Sequence, residues 1–257
     1  MAKPSITAGF DLPFQEQIDF FRAKLNLPTA AWDEIWQAAH DRAFVVAGAM
    51  KADLLDDLRQ AIEKAISTGT TLETFRNDFS GIVEKHGWHG WTGDGSAGGI
   101  AWRTRVIYET NLRSSYAAGR WAQLTDPGLK KLMPFWRYIH NENVFHPRPL
   151  HQRWGNMRLT LPQDHAFWKT HFPPNGWGCR CRVTAVAAVK TGDATAPPDG
   201  WDQISDKTGA PVGIDKGWAY APGAHANNEL ESLIKEKAAQ LPEPLKKSFL
   251  RDMRNVR

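Results

Sequence analysis

The sequence predicts an α+β protein: a helical N-terminal unit, a small mixed α/β core with short strands, and an extended C-terminal arm with a helix. Three observations carry this. Apolar residues recur at helical spacing through residues 1–87. A stretch reading GWHGWTGDGSAGG then interrupts the pattern, too rich in glycine for regular structure. After one more long helix the chain changes to short β-prone segments among prolines, culminating in FPPNGWGCRCRV at 172–183. The organisation that follows is a helical unit over 1–87, a hinge over 88–100, a core over 101–190, and an arm with a basic terminal helix over 191–257.

Residues 1 to about 12 read as a flexible lead. Pro13 suits the first turn of a helix carrying Phe14, Ile18, Phe21 and Leu25 on one face. A second helix is expected over 30–50, with Trp32, Ile35, Trp36 and Ala39 as its early stripe. A third, over 53–67, shows Leu54, Leu55, Leu58, Ile62 and Ile66, and Gly69 closes it. Thr70 and Glu73 form a capping box for a fourth, which carries Phe75, Phe79, Ile82 and Val83. The long helix over 101–124 contains a run of small residues, Ser114 to Gly119, that predicts close packing by another element. Strands are expected over 135–139, 157–161 and from Cys179 to Val189, a loop over 140–150, and a brief helix capped by Asp164. In the last strand alternation places Cys179 and Cys181 on one face and Arg180 and Arg182 on the other. Gly178 is expected to let the chain pass close to a bulky group such as Trp177. Residues 190–223 read as a long polar loop, and Glu229 to Gln240 as a helix.

Composition sets bounds on function. Hydrophobic residues make up 42% of the 257, an ordinary share for a globular chain. The net charge of +4 and pI near 9.1 permit nucleic-acid contact without demanding it. Twelve tryptophans point to broad packing contacts, internal or with partners. Two cysteines in a C-x-C spacing cannot form an unstrained disulfide with each other, which fits a reducing compartment. No signal peptide and no membrane span are expected, since no apolar run is long enough.

One constellation carries ligand chemistry: His146, His151, His165, His171, Cys179 and Cys181 fall within about forty residues. Thiolates and imidazoles are what zinc prefers, usually four in a tetrahedral cage. The candidate set is His151 or His171 with Cys179 and Cys181; the rival reading is a pair of buried thiols, and no cofactor is expected other than a structural zinc there. The enzyme alternative is a metal-dependent nuclease or processing enzyme built around His140, Asn141, Glu142 and His151. A P-loop, a dinucleotide-binding glycine loop and a Ser-His-Asp triad are absent from the pattern, so no catalytic residues are assigned. The basic tail, with Lys246, Lys247, Arg251, Arg254 and Arg257, is a candidate contact for a partner protein or for DNA phosphates.

The segment RTRVIYETNLRSSYAAGRWAQL, the later PLH, and DHAFWKTHFPPNGWGCRCRV resemble the Mu F-like minor head proteins of tailed bacteriophages. PPNGWGCRCRV is the most specific piece of the resemblance, which covers Trp102 to Val189 most closely. FQEQIDFFRAKLNLPTAAWDEIW upstream and GIDKGWAYAPG downstream are similar to flanking elements of the same family. The resemblance implies a structural protein of the virion that acts in head morphogenesis and in DNA packaging or delivery near the portal. It implies portal or major capsid protein as partners, packaged DNA as a further contact, and the host cytoplasm as the place of assembly. It carries over no catalytic residue.

Overall fold

A computed structural model describes residues 13–144, 146–226, 237–243, 245–246 and 249. The lead over 1–12, the first part of the arm helix, and Lys247, Arg251, Arg254 and Arg257 lie outside the described residues. The fold is α+β, as expected. Among the described residues the bounded α-helices are α1 (Gln15–Arg22), α2 (Ala52–Thr68), α3 (Leu72–His86), α4 (Ala97–Leu124), α5 (Pro127–Leu132), α6 (Pro149–Asn156) and α7 (Phe167–His171). Two very short strands, β1 (Leu25–Asn26) and β2 (Ala43–Phe44), pair in parallel. Strands β3 (Phe135–Ile139), β4 (Thr160–Pro162) and β5 (Arg182–Val186) form an antiparallel sheet with β3 in the middle. Among the described residues no helix is long and apolar enough to cross a membrane.

Helices α1 to α3 enclose a first core of Phe21, Phe44, Leu54, Leu55, Leu58, Ile62, Phe75 and Phe79. Gly69 and Gly87 close α2 and α3 in the left-handed conformation. The cap of α3 is Thr71 and not Thr70: its hydroxyl accepts the Thr74 N–H at 3.2 Å. The Thr70 carbonyl is occupied by the Tyr108 hydroxyl at 2.6 Å. Within the glycine-rich stretch, Trp88 and Trp91 are buried against Phe79.

The helix expected over 30–50 does not form. The Glu34 carboxylate gathers the Ala30 and Ala31 N–H groups into a turn, at 2.6 and 2.9 Å. A 3-10 turn over Gln37–Asp41 and strand β2 follow. Tertiary packing overrides the periodicity here. Phe44 is fully buried edge-on to Phe21, and β2 pairs with Leu25, which thereby leaves the α1 pattern. Trp32 and Trp36, which the helical reading placed on a buried stripe, are partly exposed.

Helix α4 joins two cores. Its Ile107 belongs to the first, and Ala117 and Leu124 belong to a second made by Trp136, Tyr138, Trp154, Leu161, Phe167, Trp168, Phe172 and Val183. On β3 the alternation holds, with Trp136 and Tyr138 buried and their neighbours half-buried. The small residues of α4 serve close contact as anticipated: a Cβ on Gly119 would lie 2.8 Å from the backbone N of Gln17 in α1.

Residues 191–226 contain no helix or strand of their own, yet Ala210, Ile214, Trp218, Tyr220 and Ala221 are buried. The end of the arm is fastened to the N-terminal part of the chain. The Asp41 carboxylate accepts N–H groups from Gly223 and His225 at 2.9 and 3.2 Å. Gly223 has φ +88°, and a Cβ there would lie 2.8 Å from Ala118 Cα. Gly223→Ala therefore combines positive-φ strain with overpacking and is expected to cost about 2–4 kcal/mol. A urea midpoint within experimental error of the parent would refute that close approach.

Candidate functional site

Helix α6 was missed by sequence reasoning, which read 140–150 as loop. Pro149 in its first turn, with Leu150, His151 and Trp154 at helical spacing, was the available signal. The helix turns both His151 and Trp154 into the second core, their rings stacked at 5.3 Å. His140, the residue after β3, lies just beneath: a Cβ on Gly155 would meet the His140 Cβ, so only glycine lets α6 approach there.

The third contributor is the turn ahead of β5. Pro173-Pro174 is cis. Asn175 is fully buried, and its Oδ1 accepts the Tyr138 hydroxyl at 3.0 Å. Asp215 holds the turn from outside, accepting from the Trp177 N–H at 3.0 Å and from Arg148 at 2.6 Å. Gly178 has φ +69° with open space around it, so its positive φ explains the residue and no crowding by Trp177 does. Cys179 and Cys181 precede the strand instead of lying in it, since β5 starts at Arg182. The turn also grips α4, where Arg113 donates to the Cys179 carbonyl at 3.2 Å and Glu109 pairs with both Arg113 and Arg180 at 3.2 Å.

These elements bring four side chains together. Cys179 Sγ lies 3.6 Å, and Cys181 Sγ 3.8 Å, from His151 Nδ1. Cys181 Sγ lies 3.5 Å from His140 Nδ1. The ligand atoms of His151, Cys179 and Cys181 all fall within 4.8 Å of one another. His151 Nε2 sits 2.8 Å from the Gly213 carbonyl, which accepts only from a protonated nitrogen. In the neutral ring the lone pair is then on Nδ1, the nitrogen that faces the sulfurs. The hydrogen bond with Cys181 holds the Cys179 thiol well below its usual range, against the burial that raises it. The same pairing and burial push the Cys181 thiol up.

His171 does not join them, which corrects the sequence-based set. It is buried flat against Phe167 at 4.3 Å. Its Nδ1 lies 2.8 Å from the Thr170 hydroxyl and its Nε2 3.3 Å from the Val212 carbonyl, so both nitrogens are engaged. His165 Nδ1 accepts the Phe167 N–H at 3.1 Å at the start of α7, where Asp164 had been expected to act. His140, missed as a partner of the sulfurs, enters because β3 carries it beneath α6. Lys246, of the basic tail, pairs with Glu243 at 3.0 Å.

The fold and site define a class: a mixed α+β chain with an aromatic core, cinched around a cluster of thiols and imidazoles. The family model of phage Mu protein F like proteins matches residues 56–184, half of the chain, and the chain belongs to that family. Along 96% of its length it is 32% identical to the "Putative capsid assembly protein F" of Escherichia phage Mu. It is also 35% identical, over 72% of its length, to the "Mu-like prophage FluMu F protein" of Haemophilus influenzae. The alignments span 62% and 44% of those two relatives. No solved structure matches.

Proposed function

We propose that this chain is a structural head protein of a tailed phage, acting in head morphogenesis. The observation that carries the reading is the alignment with the Mu protein, whose name assigns it to capsid assembly, along 96% of this chain. The finer reading places it in the virion near the portal, in contact with portal or major capsid protein, with a part in DNA packaging or delivery. The host cytoplasm is where it would meet those partners. Grooves bounded by Trp32, Trp36 and Trp177, each about two-fifths exposed, offer apolar contact area of the kind assembly partners use. The basic tail that includes Lys246 supports DNA phosphates as a secondary contact.

The nuclease alternative has no observation that favours it; among the described residues the grouped ligand atoms are those of His151 and Cys179, both buried, and of Cys181, half-buried. The test is genetic and structural. Disrupting the gene in a phage that carries it is expected to leave no filled infectious heads, and the protein is expected in heads purified from the parent. Full infectious heads without the protein would overturn the assignment.

A further inference from the structure

We propose that the chain binds one structural zinc ion through the sulfurs of Cys179 and Cys181 and imidazole nitrogens of His151 and His140. In a tetrahedral site with ordinary Zn–S and Zn–N bond lengths, each sulfur and nitrogen are about 3.6 Å apart. Three of the four sulfur–nitrogen separations across the cluster are 3.6, 3.8 and 3.5 Å. His151 and the two sulfurs thus already stand as one face of a coordination tetrahedron, and His140, which meets them at Cys181, has to move inward to complete it.

The donor chemistry agrees. Two thiolates and two neutral imidazoles are a soft-to-borderline set that selects zinc over magnesium or calcium. Two thiolates balance the ion's charge, which suits a buried position. His151 is oriented as metal-bound histidines are, with the remote N–H fixed on a carbonyl, that of Gly213 at 2.8 Å. His140 is 8% exposed, and its Nε2 has no hydrogen-bond partner. The nitrogen that faces the sulfurs is the other one, Nδ1, at 3.5 Å from Cys181 Sγ, and it is the one placed to reach the ion. With all four positions taken by protein the site is closed, which marks a structural ion. It would tie the end of β3, helix α6 and the turn before β5 into one unit, and it would do so whether or not the head-assembly reading holds.

The experiment uses the full chain, purified in reductant without chelator from zinc-supplemented cells. Elemental analysis is expected to find one zinc per chain. Exchange with cobalt is expected to give the intense visible bands of a tetrahedral ion and a thiolate-to-cobalt charge-transfer band. Cys179→Ser and Cys181→Ser are expected to lose the metal, His140→Gln to weaken its retention against a chelator at least about tenfold, and His171→Gln to keep one equivalent. Parent protein that is folded, carries no zinc and develops no cobalt spectrum would overturn the proposal, a result independent of whether any variant folds. A His140→Gln chain with unchanged retention and cobalt spectrum would overturn the four-ligand assignment.

Discussion

Trp136→Ala is expected to lower the unfolding free energy by about 3–5 kcal/mol, the range for removing a large aromatic side chain from a well-packed core. Trp136 is 1% exposed at the centre of the middle strand. Its ring meets Trp121 at 5.3 Å, Phe172 at 5.7 Å and Trp168 at 5.8 Å. Rings from α4, α7 and the segment leading to the Pro-Pro turn therefore close around it, so the cavity left behind cannot collapse onto one flexible neighbour. Trp136→Phe should cost far less. It retains an aromatic ring and removes an indole N–H that has no partner. Urea unfolding of the three chains checks both expectations. A loss under about 1 kcal/mol for the alanine variant would mean that the second core is not packed as described.

Acid is expected to destabilise the fold steeply between pH 6.5 and pH 4. Burial lowers the His171 pKa to about 4, against the Val212 carbonyl, which favours the charged form. Burial, and then the Lys24 ammonium, lower His40 to about 4 as well. Both histidines stay neutral in the folded chain over a range where the unfolded chain takes up protons. The unfolded state then binds more protons, so stability is full above pH 6.5 and falls as the pH drops toward 4. The linkage amounts to about 3 kcal/mol for each histidine, a large fraction of a typical domain's stability. Thermal unfolding at pH 7 and pH 4.5 reads the effect. His171→Asn, which cannot titrate, should remove its share of the slope. An unchanged slope in that variant would show that His171 is not the titrating group.

How much of this could be read from the chain alone varies by element. The stripe Leu54, Leu55, Leu58 and Ile62 forms a helix because adjacent turns supply its face and Gly69 ends it locally. The same reading failed at 30–50, where the tryptophan spacing was equally regular. There the outcome depended on Phe44 meeting Phe21 and on Asp41 receiving the N–H groups of Gly223 and His225. Those last partners lie more than 180 residues away, beyond the reach of any local pattern. The same limit governed the site. His151, Cys179 and Cys181 were chosen by residue type, but residue type could not separate His171 from His140.

The sequence by itself determined the α+β class, the long helix and central strand, the Pro-Pro turn with its two thiols, and the resemblance to Mu F-like proteins. Each is written in neighbouring residues, through periodicity, turn chemistry or a contiguous motif. Only the tertiary structure decided which imidazoles face the sulfurs and where the chain after Pro28 turns back on itself. Both are set by which strand lies beneath which helix, and that follows from burying the tryptophan-rich core as a whole.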